Sequence, residues 1–384
     1  MIKKTIKLIY SLIMFFIAEL IVLFQKFFLK DKSNIWLIAE QPHMARDNGI
    51  AFYDYCMEHN NNEIKPYYVV DFKCKDYEKI KYKSNCIKSF SLKHYIYYLK
   101  ASVLIMAFPD GICPSVLLER VLRKIKIVKN KKVYLKHGII KDDIALLHSD
   151  NFYIDMFITA SPYEDKFIKE NYGHEKNKIK LLGLSRYDYL EDKSTDDEIK
   201  ILIMPTWRRW IKNDLKGTEY YKKYELLIES LTKKYHNKKN VKVLFYLHNN
   251  FQKFSNIFET NDVVKILTSK DYKVNELFNE CNVMITDYSS VAFDFAYLGK
   301  PIIYYQFDYD EVIKKHYGKG YYDYERDGFG PRFIQESDII NYLDELEKNN
   351  YHIFDKYLKR ASNFYKYRDK NNRERTYNEI KKLK

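Results

Sequence analysis

Residues 285–305 read ITDYSSVAFDFAYLGKPIIYY, a strand, a helix and a second strand in succession. The approach to this stretch, CNVMITDY (281–288), is apolar without alternation, as in a parallel strand buried on both faces. Ser289 and Ser290 stand where N-caps belong, ahead of the helical run VAFDFAYLG. Gly299 closes that helix, Pro301 prevents its continuation, and IIYY supplies the next strand. A strand–helix–strand unit sets the helix N-terminus at the carboxyl edge of a parallel sheet. Free N–H groups and serine hydroxyls there suit an anion, phosphate above all. A single unit of this kind reads equally well as an ordinary cap beside a buried aspartate.

Working outward, similar apolar runs recur on both sides. IWLIAE (35–40), YYVVDF (67–72), VLIMAF (103–108), VYLKHG (133–138), MFITAS (156–161) and IKLLG (179–183) predict parallel strands in the first half. ILIMPTW (201–207), VKVLFYLH (241–248), VVKILT (263–268) and PIIYYQ (301–306) do the same in the second. Helical stretches lie between them, for example GIAFYDYCMEHN from Gly49. Strand alternating with helix means an α/β sheet with crossover connections. The polar segment LEDKSTDDEI (190–199) is the candidate linker. Two Rossmann-like domains are therefore expected, 33–190 and 191–345, facing a central cleft. Residues 1–32 form a membrane-associated helix before them, and 346–384 a basic helical segment after them.

Length agrees, since 384 residues exceed one ordinary core and suit two domains of about 150–200. The net charge of +14 indicates an anionic partner. Basic residues are spread along the chain, with no arginine-rich arm and no zinc-finger spacing, so nucleic acid is not the expected partner. Five scattered cysteines form no CxxC pair and no metal spacing, which fits reduced thiols. No metal and no cofactor are expected.

The segment LIYSLIMFFIAELIVLFQKFFL (8–29) is long enough to span a bilayer and is flanked by Lys3, Lys4, Lys7, Lys30 and Lys32. Glu19 falls in its middle, and both flanks are positive, which gives no orientation. No small-residue cleavage site follows it, which argues against a signal peptide. An interfacial helix on an anionic membrane surface fits these features better than a full span.

The residues that suit chemistry follow strands, where α/β enzymes place their sites. His137 follows VYLK and precedes Gly138, and a neutral imidazole is the natural base for a hydroxyl nucleophile. Lys141 and the pair Asp142–Asp143 come next. His248 ends a strand of the second half, matching His137 in position. Arg208 and Arg209 follow IMPTW and offer a planar fork for phosphate. Asp47, Asn48 and Gly49 read first as a helix cap. Asp308 and Asp310 lie beyond the opening motif, ahead of the loop GKGYYDYERDGFGP (318–331), which suits a ligand cover. Absence of a DxD pair at a strand end and of a Walker A motif disfavours metal-dependent transferases and P-loop enzymes.

In these motifs the chain resembles the CDP-glycerol glycerophosphotransferases, the teichoic acid primases and polymerases. The similarity is carried by the 285–305 stretch and its continuation QFDYDE. It extends to ARDNG (45–49), HGIIK (137–141), SPYEDKFI (161–168), LGLSRYDYL (182–190), PTWR (205–208) and GYYDYERDGFGP (320–331). Where this chain has Lys136-His137-Gly138-Ile139 and His248-Asn249, relatives commonly show Trp-His-Gly-Thr and His-Pro. The resemblance implies a GT-B fold and peripheral or monotopic attachment to the cytoplasmic face of the cell membrane. It implies CDP-glycerol or CDP-ribitol as donor and a lipid-linked saccharide or growing polyol phosphate chain as acceptor. Teichoic acid or capsule-type polymer synthesis is the implied setting. By this resemblance His137 and His248 are the catalytic pair, Arg208 binds phosphate, and Ser289 and Ser290 bind the diphosphate. Asp287, Asp308 and Lys141 join the substrate-binding set, although Asp287 and Asp294 read as structural rather than catalytic. The competing readings are a GT-B glycosyltransferase using a nucleotide sugar and an inactive membrane scaffold that kept the fold.

Overall fold

The computed structural model describes residues 2–29, 34–59, 63–124, 129–269, 272, 274–315 and 320–383. Lys30, Lys32, Gly318 and Lys319, named above, lie outside the described residues, as do the side chains of Lys3 and Lys4. The chain forms two compact units. Unit 1 comprises residues 1–139, 145–188 and 367–384, and unit 2 comprises 140–144 and 189–366.

Unit 1 opens with helix α1 (Ile2–Phe28), then β1 (Ile35–Ala39), α2 (Asn48–Glu58), β2 (Lys65–Val70), β3 (Cys86–Lys88) and α3 (Leu92–Lys100). It continues through β4 (Val103–Met106), α4 (Val116–Lys124), β5 (Lys131–Tyr134), β6 (Met156–Thr159), α5 (Pro162–Asn171) and β7 (Ile179–Leu181). All seven strands are parallel, in the order β3-β2-β1-β4-β5-β6-β7. Every residue of β1, β4 and β6 is buried, the reason their runs do not alternate. Trp36, Phe52, Tyr68, Ile105 and Val133 belong to one core between sheet and helices.

Unit 2 begins with β8 (Ile199–Ile203), α6 (Glu219–Tyr235), β9 (Val241–Tyr246), β10 (Val264–Leu267), α7 (Val274–Glu280), β11 (Val283–Thr286), α8 (Val291–Tyr297) and β12 (Ile302–Tyr305). Short helices α9 (Tyr309–Lys315) and α10 (Tyr324–Asp327), strand β13 (Arg332–Phe333), α11 (Glu336–Lys348) and α12 (Asp355–Phe364) complete it. Its sheet is also parallel, in the order β10-β9-β8-β11-β12-β13. In each sheet the winding reverses once, between β1 and β4 and between β8 and β11. Such switch points open a crevice at the carboxyl ends of the strands.

The predicted strands all appear, and two short edge strands, β3 and β13, join them. The segment expected as a linker is held against unit 2. Glu191 and Lys193 donate backbone N–H groups to Asn279, and the carboxylate of Asp192 pairs with buried Lys300. The boundary expected at 345 also moves. Unit 2 continues through α12 to Lys366, and a last helix, α13 (Asn372–Ile380), belongs to unit 1. Asp188 fixes it there, accepting the backbone N–H groups of Asn372 and Arg373 at 3.0 and 2.9 Å and their side chains besides. Tyr377 of α13 then packs on Trp36 of β1, ring centroids 5.3 Å apart.

Helix α1 packs along α3 and touches α4. Its seam has a heptad spacing: Ser11 and Ala18 are buried, and Gln25 accepts from Lys100 Nζ at 3.0 Å. Away from the seam Ile9, Ile13, Phe16, Leu20, Phe24 and Phe27 are exposed. By length and composition residues 5–28 suffice to cross a membrane.

Candidate active site

In unit 1 the carboxyl edge of the sheet carries one connected polar network. β1 runs into Glu40, whose carboxylate is fully buried and accepts three backbone N–H groups. Oε1 takes those of Asp47 and Ile50, at 2.8 and 2.9 Å, and Oε2 that of Arg46, at 2.9 Å. This grip shapes the loop into the first turn of α2. Gly49 is there because a Cβ would come within 2.7 Å of Glu40 Cγ. Burial first, and then the charge of Asp47, push the Glu40 carboxyl up to about 7.

Asp47 is the N-cap of α2, as read from the sequence, and accepts from Asn48 N at 2.7 Å. It does more than cap. Oδ2 meets Nδ1 of His137, and Oδ1 accepts from Arg186 Nη1 at 2.8 Å. Burial works to raise the Asp47 carboxyl, but Arg186 and then His137 outweigh it and hold it below the usual aspartate range.

His137 follows β5 on a backbone held in an unusual shape. Lys136 has φ +55°, a left-handed conformation that costs a side-chain-bearing residue about 1 kcal/mol or more. Two contacts hold it. The Lys136 ammonium pairs with Glu164 of α5, both wholly buried, and its carbonyl accepts from Asn48 Nδ2 at 2.9 Å. Asn48 also accepts the backbone N–H of Arg186 at 2.9 Å. The result is an imidazole stacked on Phe108, centroids 4.7 Å apart, with 58% of its side chain exposed.

In unit 2 the corresponding edge is sealed around Arg208. Its Nε and Nη2 make a bidentate pair with Asp308, at 2.6 and 3.0 Å. Nη2 also lies 2.9 Å from Asp287 Oδ2, and Nη1 donates to the Thr206 carbonyl at 2.6 Å. The guanidinium sits between the rings of Tyr220 and Tyr288 and is wholly buried. The exposed fork expected for phosphate is thus not what the fold provides: its hydrogen-bonding edges face two aspartates inside the protein. Burial disfavours the charge, but Asp287 and then Asp308 more than restore it, so Arg208 stays cationic.

Asp287 joins three loops. It accepts from Thr206 N and Tyr288 N at 2.8 and 2.6 Å, and its carbonyl accepts from Gln306 Nε2 at 2.8 Å. Asp308 also accepts from the Tyr288 hydroxyl at 3.0 Å. Around this knot the buried atoms Thr206 Oγ1, Tyr220 OH, Gln306 Oε1 and Tyr324 OH have no hydrogen-bond partner among the described residues. Such atoms beside a switch point suit contact with a polar ligand.

The serine pair departs from the expected caps. Ser290 already has helical angles (φ −66°, ψ −12°) and makes no side-chain cap bond, while Val291 N reaches Ser289 Oγ only at 3.4 Å. The chain enters α8 through a tight turn in which the carbonyls of Ser289 and Ser290 accept from Ala292 and Phe293. Both serines are half-buried. At the other end Gly299, at φ +74°, closes the helix as expected.

His248 stands just past β9. Its Nδ1 accepts the backbone N–H of Asn250 at 3.2 Å, and its ring stacks on Trp207 at 6.0 Å. The structure therefore gathers His248 with the PTWR loop, and Arg208 with Asp287 and Asp308. Lys141 belongs to unit 2, bonded to Asp142 at 2.5 Å and lying over the Tyr324 ring. Arg186 was not singled out as a site residue. Its only signal was membership of the LGLSRYDYL motif.

Comparison with known proteins gives the family and the fold. The model of the CDP-Glycerol:Poly(glycerophosphate) glycerophosphotransferase family matches residues 20–382. The minor teichoic acid biosynthesis protein GgaB of Bacillus subtilis (strain 168) is 34% identical over 376 residues, covering 93% of this chain and 41% of GgaB. The teichoic acid glycerol-phosphate transferase of Staphylococcus aureus (strain NCTC 8325 / PS 47) is 26% identical, with 91% of each chain covered. This chain spans less than half the length of GgaB and of the teichoic acid poly(ribitol-phosphate) polymerase of Bacillus spizizenii, of which it covers 35%. Among solved structures, a variant of the wall teichoic acid polymerase TagF soaked with CDPG superposes with a TM-score of 0.69. The two share 18% identity, over 92% of this chain and 89% of that one. The fold is GT-B, and the chain belongs to the CDP-glycerol:poly(glycerophosphate) glycerophosphotransferase family.

Proposed function

We propose that this chain transfers glycerol phosphate, or another polyol phosphate, from a CDP-polyol to a hydroxyl of a lipid-linked saccharide or growing polyol phosphate chain, with release of CMP. Teichoic acid or capsule-type surface polymer is the product. The observation that carries the reading is the exposed His137 imidazole, anchored at Nδ1 by a buried aspartate at the carboxyl edge of its sheet. Such a ring is built to take a proton from a hydroxyl.

In this mechanism His137 accepts the acceptor's proton while the acceptor oxygen bonds to the polyol-bearing phosphorus. The bond from that phosphorus to the bridging oxygen breaks, and its electron pair leaves on CMP. Ser289, Ser290 and the N–H groups at the entry to α8 hold the diphosphate. His248 steadies the charge that develops on the departing nucleotide. Arg208 serves as the support that locks the PTWR and DYSS loops and Asp308 into one unit. Asp308 is already bonded to Arg208 and Tyr288, so it acts by placing them. Lys141 provides a cation over the ring of Tyr324, a residue of the 320–331 loop.

Helix α1 fits a monotopic attachment. Its seam is committed to α3, so a perpendicular span would strip it from unit 1, whereas an in-plane helix keeps that packing and buries its outer apolar row in lipid. Co-sedimentation with anionic vesicles checks this, and replacement of both Ile13 and Phe16 by glutamate is expected to release the protein. For the reaction, the purified protein is given a lipid-linked acceptor with CDP-glycerol, CDP-ribitol or a UDP-sugar. CMP release with mass growth of the acceptor by one or more polyol phosphate units is expected. UDP release would replace this reading with the glycosyltransferase one.

A further inference from the structure

We propose that Asp47, clamped by Arg186, is the positioning residue that holds the His137 ring with Nδ1–H toward the carboxylate and so makes Nε2 the proton-accepting atom. The inference rests on the reading of His137 as base and assigns the atom and the residue that prepare it.

Four observations carry it. Nδ1 of His137 faces Asp47 Oδ2, and an ionised carboxylate only accepts, so the hydrogen of that bond is on the ring nitrogen. Neutral imidazole has one N–H, and with it on Nδ1 the lone pair available for a hydroxyl proton is on Nε2. Asp47 cannot turn away, because Oδ1 is held by Arg186 Nη1 and by the backbone N–H of Asn48. Nor can the ring, because Lys136 is pinned on one side by Glu164 and Asn48, while Phe108 supports the ring face. The charged groups at this edge include Glu40 after β1, Asp47 at α2, Lys136 after β5, Glu164 and Asp165 in α5 and Arg186 after β7. Glu40 holds the loop of Asp47 through three N–H groups.

During transfer the acceptor's proton moves to Nε2 as its oxygen bonds to phosphorus. The imidazolium so formed gains the full attraction of the Asp47 carboxylate, and it returns the proton to solvent after CMP leaves. A carboxamide at position 47 undoes this. In Asp47→Asn the amide can still cap α2, but its NH2 group donates to Nδ1 and drives the hydrogen to Nε2, leaving no lone pair for the substrate. Loss of the right tautomer is worth about 10²–10⁴-fold in turnover.

The test has two arms. In protein labelled with 15N-histidine, the His137 signals, identified by their loss in His137→Gln, are expected to show a protonated Nδ1 and an unprotonated Nε2 at neutral pH. In Asp47→Asn they are expected to exchange. This arm needs no turnover, so it stands or falls separately from the assignment of substrate. In the second arm CMP release is followed against pH. Asp47→Asn is expected to lower kcat by about 10²–10⁴-fold with little change in KM, and to move the acidic limb of the profile to lower pH. A protonated Nε2 in the unaltered protein overturns the proposal. So does an Asp47→Asn protein whose kcat and acidic limb match the parent's. A lower kcat with the limb unmoved and the unfolding temperature reduced assigns Asp47 to folding alone, and also overturns it.

Discussion

Each unit places an arginine and an aspartate at the carboxyl edge of its sheet, and they are used in opposite ways. In unit 1 Arg186 holds one oxygen of Asp47 so that the other can hold an imidazole facing solvent. In unit 2 Arg208 is enclosed between Asp287 and Asp308, and the groups suited to chemistry, His248 and the serines, are not among its partners. The two histidines differ accordingly. Nδ1 of His137 meets a carboxylate, while Nδ1 of His248 accepts a backbone N–H. A neutral His248 therefore carries its hydrogen on Nε2 and presents a donor, the reverse of His137. One ring is prepared to take a proton and the other to give a hydrogen bond.

Replacement of His137 should have the largest effect. His137→Ala and His137→Gln are both expected to cut CMP release by about 10²–10⁴-fold with the unfolding temperature nearly unchanged, since neither side chain is a base. His248→Gln should behave differently, because an amide still donates, and a loss nearer tenfold is expected, against about a hundredfold for His248→Ala. Equal losses for glutamine at both positions would break the comparison.

Arg208→Leu tests the other half of the contrast. It strands two buried carboxylates and should cost about 3–5 kcal/mol of stability in urea unfolding. A stable Arg208→Leu protein with a raised KM for donor would instead return Arg208 to the phosphate. Ser289→Ala and Ser290→Ala should leave stability intact and raise the donor KM by about tenfold each, the scale of one hydrogen bond to a charged group.

The smallest expected effect is on pH dependence. The Glu40 carboxyl, raised from 4.5 to about 7, binds its proton more tightly in the folded state than in the unfolded chain. Its contribution to stability therefore falls as pH rises from 4.5 to about 7 and is level above that. Asp47, held below its usual range, works in the opposite sense and loses its contribution as pH falls through its folded value. Glu40→Gln should flatten the slope between about pH 5 and 7 in thermal scans, and an unchanged slope would remove Glu40 as its source.

What was legible in the sequence was what depends on local pattern. Buried parallel strands are continuous apolar runs, and they were found to within a few residues. CIK at 86–88 and RF at 332–333 were missed because edge strands of two or three residues leave no periodicity to read. Partnerships across long separations were not legible. ARDNG looks like a helix cap and is one, but nothing local to it shows that Asp47 also reaches His137 and Arg186. Arg208 carries a charge and follows a strand, which suggested exposure. Its burial follows from Asp287 and Asp308, about 80 and 100 residues further on. The serines were placed at the right turn, but the hydroxyls do not cap it, because the backbone there is already helical.

The attachment of α13 to unit 1 bears on the order in which the protein can be made. Strand β1 is synthesised early, yet Tyr377, which packs against Trp36, emerges only after the whole of unit 2. At about 5–20 residues per second, that interval is on the order of ten seconds or more. Unit 2 has every residue it needs before α13 emerges, whereas unit 1 waits for that helix to cover α2 and satisfy Asp188. Removal of α13 would therefore damage the half of the protein that was translated first.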